Sequence, residues 1–295
     1  MKLFAPLYYK NFNCIADKCE HSCCIGWEID VDENTLEKYK RLKNSYGKVI
    51  LDSIATDDVP HFKLGEGDRC PHLNEHGLCK IILSAGEDYL CNICREHPRF
   101  YNYTNIAEVG IGMSCPEAAR VILSSPDYAT TVHIGEVDAI ADDVAFDGRA
   151  QREKIYEILR RSDLSYRERL DAIYREYAIP HLDNQLQSEK LASLEYLDPE
   201  HRKLFLKFSG NIRPCDKDAY LERFFAYTVY RHCTEALDPD DFCARLGFCL
   251  FCEQLFASLI ALEDAHTLHE IARIASIISE EIEYSDDNTF TLTYQ

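Results

Sequence analysis

Residues 70–94 read CPHLNEHGLCKIILSAGEDYLCNIC, and the fold class turns on how this stretch is understood. Cys70, Cys79, Cys91 and Cys94 sit among Pro71, Asn74, His76-Gly77 and Gly86, residues that favour turns over long helices or strands. Two thiolates separated by two residues can converge on one metal, and pairs from separate loops can complete a tetrahedral or cuboidal site. Upstream lies Cys19-x3-Cys23-Cys24, with Cys14 just before it, and downstream Ser114-Cys115-Pro116. A cysteine followed by proline also occurs in ferredoxin-type ligation, although the full ferredoxin run is absent. A lone CxxC is weak; four such fragments in one stretch of chain point to a metal centre. Spacing alone leaves zinc and an iron–sulfur cluster both open. A metal-free dithiol at Cys91 and Cys94 is a third reading, but no strand–turn–helix context surrounds them. His21, His72, His76 and His97 lie among the cysteines and could ligate, although they read first as surface residues or as neighbours that support the ligands.

Composition narrows the setting. The chain has 295 residues and 14 cysteines, long enough to bury a substantial core without disulfides. With 32 Lys+Arg against 51 Asp+Glu, the net charge is −19. That balance opposes a phosphate-neutralising face, so no nucleic-acid partner is expected, and it suits a basic protein partner. The opening MKLFAPLYYKNFNC lacks the form of a secretory signal. The densest apolar stretch, Gly247 to Leu262, is interrupted by Glu253 and Gln254, so no membrane span is expected. The expected compartment is cytoplasmic, where clustered cysteines serve metal or redox chemistry more often than disulfides.

Nine cysteines fall between Cys14 and Cys115, none between Pro116 and Pro214, and five between Cys215 and Cys252. This predicts a cysteine-rich metal-binding region over 1–125 and a helical region over 126–295, the two able to form one continuous domain. The expected fold is mainly α: an irregular, metal-nucleated N-terminal region packed with a helical C-terminal region. A helix should begin near Asn34 or Thr35. Ile155, Ile158 and Leu159 share one helical face, as do Leu170, Ile173 and Tyr177, and segments 218–234, 242–263 and 265–283 read as helices. Val31, Val109 and the tail 289–294 read as short strands. Cys249 and Cys252, one helical turn apart in GFCLFCEQLF, read as buried packing residues, and so do Cys215, Cys233 and Cys243. Tyr101, Tyr103, Tyr220, Phe224, Phe225, Tyr227 and Tyr230 are either core or the lining of a pocket for a cation. Glu280, Glu281, Glu283, Asp286 and Asp287 read as a solvated acidic face, or one that docks a lysine-rich surface.

The fragments CEHSCCIGWEIDVDENTLEKY (19–39), CPHLNEHGLCKI (70–81), GEDYLCNICREHPR (86–99) and SCPEAARVIL (114–123) resemble the flagellin lysine-N-methylase family. The cysteine-rich part is similar to a broader group of zinc- or iron-chelating domains. YRHC (230–233) and IARIASIISEEIEYSDDN (271–288) look like the family's closing helices, so the resemblance covers nearly the whole chain. It implies methyl transfer from S-adenosylmethionine to lysine amines of flagellin, or of another lysine-bearing protein, in a chain holding a [4Fe-4S] cluster. It makes Cys19, Cys23, Cys24, Cys70, Cys79, Cys91, Cys94 and Cys115 the ligand candidates, with zinc as the alternative metal. The residues themselves supply no methyl-donor site, since no Gly-rich loop follows a convincing strand. Cys19-x3-Cys23-Cys24 also departs from the Cx3Cx2C spacing of radical enzymes, and no catalytic base can be named. The competing readings are a noncatalytic zinc- or iron–sulfur-binding interaction module and an electron-transfer protein.

Overall fold

The chain begins with β1 (Lys2–Pro6), a strand whose hydrogen-bonding partners all lie about a hundred residues further on. The computed structural model describes residues 1–56, 59–139, 145–208 and 217–295. It is mainly helical, with small sheets. The chain divides into two compact units, one formed by 13–98 and the other by 1–12 together with 99–295. The division therefore falls at different places from the expected 1–125 and 126–295. The physical reason is that β1 and residues 99–124 are tied by backbone and packing to the later helices, which the cysteine distribution does not report.

In the 13–98 unit, regular structure is short. It contains α1 (Glu33–Arg41), α2 (Ser45–Asp52), the two-residue strands β2 (Ile54–Ala55) and β3 (His61–Phe62), α3 (Lys80–Ala85) and α4 (Asn92–Glu96). Ile29, Val31, Tyr39, Ile50, Phe62 and Ile81 form a small core with Cys70 and Cys91. Val31 is buried there but lies outside any strand; its N–H donates to the Pro60 carbonyl at 2.7 Å. Asp32 caps α1, its carboxylate accepting from Thr35 N at 3.0 Å, and the other oxygen accepts from Asn92 N at 2.9 Å at the start of α4. One side chain thus satisfies exposed donors at two helix N-termini. Asp32→Ala is expected to cost about 1–2 kcal/mol and to speed hydrogen exchange at the Thr35 and Asn92 amides together. Independent exchange of the two would show that the cap is not shared.

The other unit is built on a four-stranded sheet and a helical layer. After β4 (Arg99–Tyr103) comes β5 (Ala107–Ile111), and the two pair as an antiparallel hairpin. Strand β5 also pairs in parallel with β1, whose other edge takes β6 (Thr131–Glu136) antiparallel, giving the order β4-β5-β1-β6. Phe100 stands opposite Gly110 in the ladder, and a Cβ at Gly110 would meet the Phe100 ring at 2.3 Å. A glycine is needed there for close approach, not for its dihedral freedom.

Helices follow in order: α5 (Pro116–Ser124), α6 (Gly148–Leu159), α7 (Tyr166–Glu176), α8 (Asn184–Ser193), α9 (Pro199–Phe205), α10 (Asp218–His232), α11 (Pro239–Leu262), α12 (Leu268–Ile278) and α13 (Asp286–Tyr294). A π-helical turn, Ser279–Glu283, continues α12. The apolar stripe Ile271, Ile274, Ile278 and Ile282 is buried as its spacing predicts. Helix α11 is apolar on all sides and is long and apolar enough to cross a bilayer, but most of it is buried within the fold, as a core helix is. Cys233, Cys249 and Cys252 are buried in this core, Cys243 is half-buried, and Cys215 lies outside the described residues.

Two expectations are corrected here. The tail is α13, not a strand: Ser285 caps it by accepting from Asn288 N at 3.2 Å, and packing on α11 overrides the β preference of its Thr and Tyr residues. The acidic run at 280–283 is not a solvated face. Glu281 accepts from the Leu197 and Asp198 amides and bonds His201 Nδ1 at 2.7 Å. Glu283 accepts from Tyr227 Oη at 2.9 Å and bonds His232 Nε2 at 2.7 Å, with Arg231 beside it. Burial alone would push the Glu283 carboxyl up, but Arg231 and then His232 outweigh it and hold it near 2.

Candidate functional site

The 13–98 unit brings distant cysteines together by backbone bonding. Cys70 N donates to the Cys24 carbonyl at 2.8 Å, and Ile25 bridges Arg69, so the first cysteine fragment lies along the second. From Cys70 the chain makes a tight loop back to Cys79. Asn74 organises it, its side-chain oxygen accepting from His76 N and Leu78 N, each at 2.9 Å. Gly77 takes φ +74° in this loop, a conformation that suits glycine. The Leu73–Cys79 bridge and the bond from Lys80 N to the His72 carbonyl close it. Cys79 then precedes α3 and Cys91 precedes α4, with Cys94 one turn into that helix.

The five thiols of Cys24, Cys70, Cys79, Cys91 and Cys94 are near enough to alter one another's ionisation. A hydrogen bond from Cys23 lowers the Cys24 thiol to about 6 despite burial, with Ser22 and Arg69 acting in the same direction. Cys94 and Cys91 are hydrogen-bonded to each other, which lowers Cys91 and raises Cys94. Burial raises Cys70 to about 11 and also raises Cys79. Tyr39 Oη lies 3.4 Å from Cys91 Sγ and donates to the Tyr89 carbonyl at 2.8 Å. The patch thus has two thiols whose ionisation is eased beside others in which burial opposes it, and a cation placed among them would reverse that second tendency.

Among the described residues, no three His, Cys, Asp or Glu side chains converge closely enough to hold a metal ion as they stand. The thiol pairs Cys23–Cys24 and Cys91–Cys94 are bonded within themselves instead. The donor chemistry nonetheless fits a thiolate-bound metal, since five soft sulfur donors share one patch and all are free thiols. Cys23 is exposed beside Cys24, and Cys19 donates to the His21 carbonyl at 2.9 Å. Cys115 belongs to the other unit, half-buried at the start of α5.

His72 is buried with both ring nitrogens engaged, Nδ1 with Tyr46 Oη at 2.8 Å and Nε2 with Ser53 Oγ at 2.9 Å. Burial lowers it to about 4. Both ring nitrogens are thus committed to partners within the fold. The roles of Tyr39 and Tyr46 beside the thiols were not legible; a tyrosine on an amphipathic helix carries no mark of the sulfur it meets.

Four of the seven candidate aromatic residues are core, whereas Tyr103 is exposed and stacks on Tyr101. Phe224, Phe225, Tyr227 and Tyr230 are buried packing residues. Two of them meet the chain's own cations: Arg152 lies 4.6 Å from the Tyr230 ring centre, and Arg231 donates to Tyr227 Oη at 3.1 Å.

No family model matches the chain, and no solved structure does. Among curated proteins, a "Flagellar biosynthetic protein FliU" of Salmonella muenchen is 27% identical over 165 residues, covering 52% of this chain and 94% of that protein. A "Lysine-N-methylase" of Salmonella choleraesuis and another of Salmonella typhimurium are each 28% identical over 134 residues, covering 41% of this chain. The match spans about a third of the length of those two methylases, 32% in each case. The chain is distantly similar to proteins named for flagellar biosynthesis and for lysine N-methylation.

Proposed function

We propose that the chain is a protein-lysine N-methyltransferase that acts on flagellin lysines with S-adenosylmethionine as methyl donor and holds a thiolate-bound metal in its 13–98 unit. The observation that carries the methyl-transfer reading is the similarity over 134 residues to two proteins named lysine-N-methylase. The gathering of Cys24, Cys70, Cys79, Cys91 and Cys94 in one patch supports the metal. Four of these five would hold a [4Fe-4S] cluster, or zinc. Cys19, Cys23 and Cys115 remain in the candidate set on the resemblance alone. Bound there, the metal would link separate loops of the unit and so supply folding free energy.

The chain's residues have definable tasks. Tyr39 Oη, its proton given to the Tyr89 carbonyl, can accept from the Cys91 thiol 3.4 Å away and so holds that sulfur in place. His72, held neutral by burial, keeps a second positive charge away from that metal. In the transfer itself, a neutral lysine amine attacks the donor methyl carbon. The C–N bond forms as the sulfonium C–S bond breaks, S-adenosylhomocysteine leaves, and the new ammonium loses a proton to a base.

Protein purified without oxygen should contain metal, and flagellin incubated with it and S-adenosylmethionine should gain methyl units on lysine. Cys91→Ser combined with Cys94→Ser should remove most of the metal. Unchanged metal content would take both cysteines off the ligand set, and an unmodified cognate flagellin would sink the methylase reading. A noncatalytic metal-binding interaction module is the second reading. It is favoured by the order β4-β5-β1-β6, which is not the doubly wound parallel sheet that binds many such donors. Calorimetric binding of S-adenosylmethionine would eliminate it.

A further inference from the structure

The sequence 177–190, YAIPHLDNQLQSEK, turns from the end of α7 into α8 and forms one wall of a cleft of about 300 Å³. The other walls come from α11 and α13, and all of these elements belong to the same unit. Three observations mark the cleft as a site rather than a packing fault. Gln187 is buried, lines the cleft, and its side-chain oxygen has no hydrogen-bond partner. A buried amide oxygen left in that condition costs free energy unless something donates to it. Gly247 lies in the middle of α11 facing the cleft, and a Cβ built there would meet nothing within 4 Å. Glycine inside a helix is unfavourable relative to alanine, and here no close contact requires it; what it preserves is the open space. Lys190, one turn along α8 from Gln187, also lines the cleft, and burial lowers its ammonium pKa. An ammonium with part of its water removed gains more from an anion than one in bulk solvent.

The lining has one anion-seeking group and one donor-seeking group, three residues apart on one helix face. Beside them are Tyr177, Ile179, Leu182 and Phe248. A ligand that answers this arrangement is compact at its polar end and apolar behind it. We propose that the cleft binds an α-amino-acid head, with the carboxylate at Lys190, the ammonium donating to Gln187 Oε1, and an apolar or thioether tail on Ile179, Leu182 and Phe248. A free apolar amino acid and the methionyl part of the methyl donor, or of its thioether product, share this α-amino-acid head. In the second case the inference rests on the methylase reading.

Calorimetry with L-methionine and with S-adenosylhomocysteine separates the sources. The wild-type chain is expected to bind at least one of them. Lys190→Met and Gln187→Leu should weaken that binding by about tenfold or more, and Gly247→Leu should abolish it by filling the cleft. Thermal melting of Gly247→Leu at or above the wild-type temperature would show that its loss of binding is not unfolding. L-methionine bound and S-adenosylhomocysteine refused would support the cleft while counting against the methylase reading. S-adenosylhomocysteine bound equally by wild type and all three variants would overturn the cleft and leave the methylase reading standing. No binding of either probe to the wild-type chain would overturn the inference.

Discussion

Arg152→Met is expected to destabilise the fold by about 3–5 kcal/mol, because it leaves a buried carboxylate without its countercharge. Arg152, in α6, is fully buried, and its guanidinium grips Glu108 of β5 with two bonds of 2.8 Å. It also donates to Thr234 Oγ1 at 2.7 Å and lies over the Tyr230 ring. Gly148 lets α6 reach this position, since a Cβ there would meet the Cys233 and Thr234 carbonyls at 2.5 and 2.6 Å. The pair therefore joins strand, helix and the end of α10. Truncating only one partner exposes the desolvation cost of the other. Replacing both, as Arg152→Met with Glu108→Leu, should recover most of the loss, since apolar side chains of similar size need no partner. Denaturant unfolding of the three variants measures this. A single variant that loses less than about 1 kcal/mol would mean that water reaches Glu108 and that the ion pair is not the organising contact.

The second large effect has the opposite sign. Glu253 lies on the buried core helix α11, where Tyr166 Oη donates to it at 3.3 Å, and burial raises its carboxyl to about 7. Its folded-state value thus stands above the unfolded one, so the fold prefers the proton. The associated stability is fully present below about pH 4.5 and is lost as pH rises to about 7. Glu253→Gln keeps an acceptor for Tyr166 and never ionises. Above pH 7 it should be more stable than wild type by about 3 kcal/mol, and near pH 4 the two should be equal. Measuring the difference between variant and wild type across pH cancels the titration of Glu283, whose depressed value works in the other direction. A difference that does not change with pH would show that Glu253 is ionised and solvated.

Much of the helical layer was legible in the sequence. The expected 218–234 and 242–263 are α10 (Asp218–His232) and α11 (Pro239–Leu262), and the last expected helix is α12 with its π-helical turn. Periodic apolar residues report burial locally, so they survive without knowledge of partners. Cys249 and Cys252 were readable as core for the same reason. β1 was not, because KLFAP becomes a strand only through partners at 107–108 and 131–136. The tail misled because Thr, Phe and Tyr favour strands when nothing else decides, and here packing on α11 decides.

The candidate site divides along the same line. The four cysteine fragments, and the turn chemistry of Asn74 and Gly77 that folds one of them back, are visible in the residues themselves. The chain alone therefore determined that a cysteine-rich, loop-dominated segment would precede a helical one. Tertiary structure decided which thiols meet: Cys24, Cys70, Cys79, Cys91 and Cys94 gather, while Cys115 falls in the other unit. It also decided that Glu108, Glu253, Glu281 and Glu283 are interior groups. Apolar burial follows from a local pattern, but the burial of a charge or the meeting of two thiols depends on partners far away in the chain, and only the closed fold supplies them.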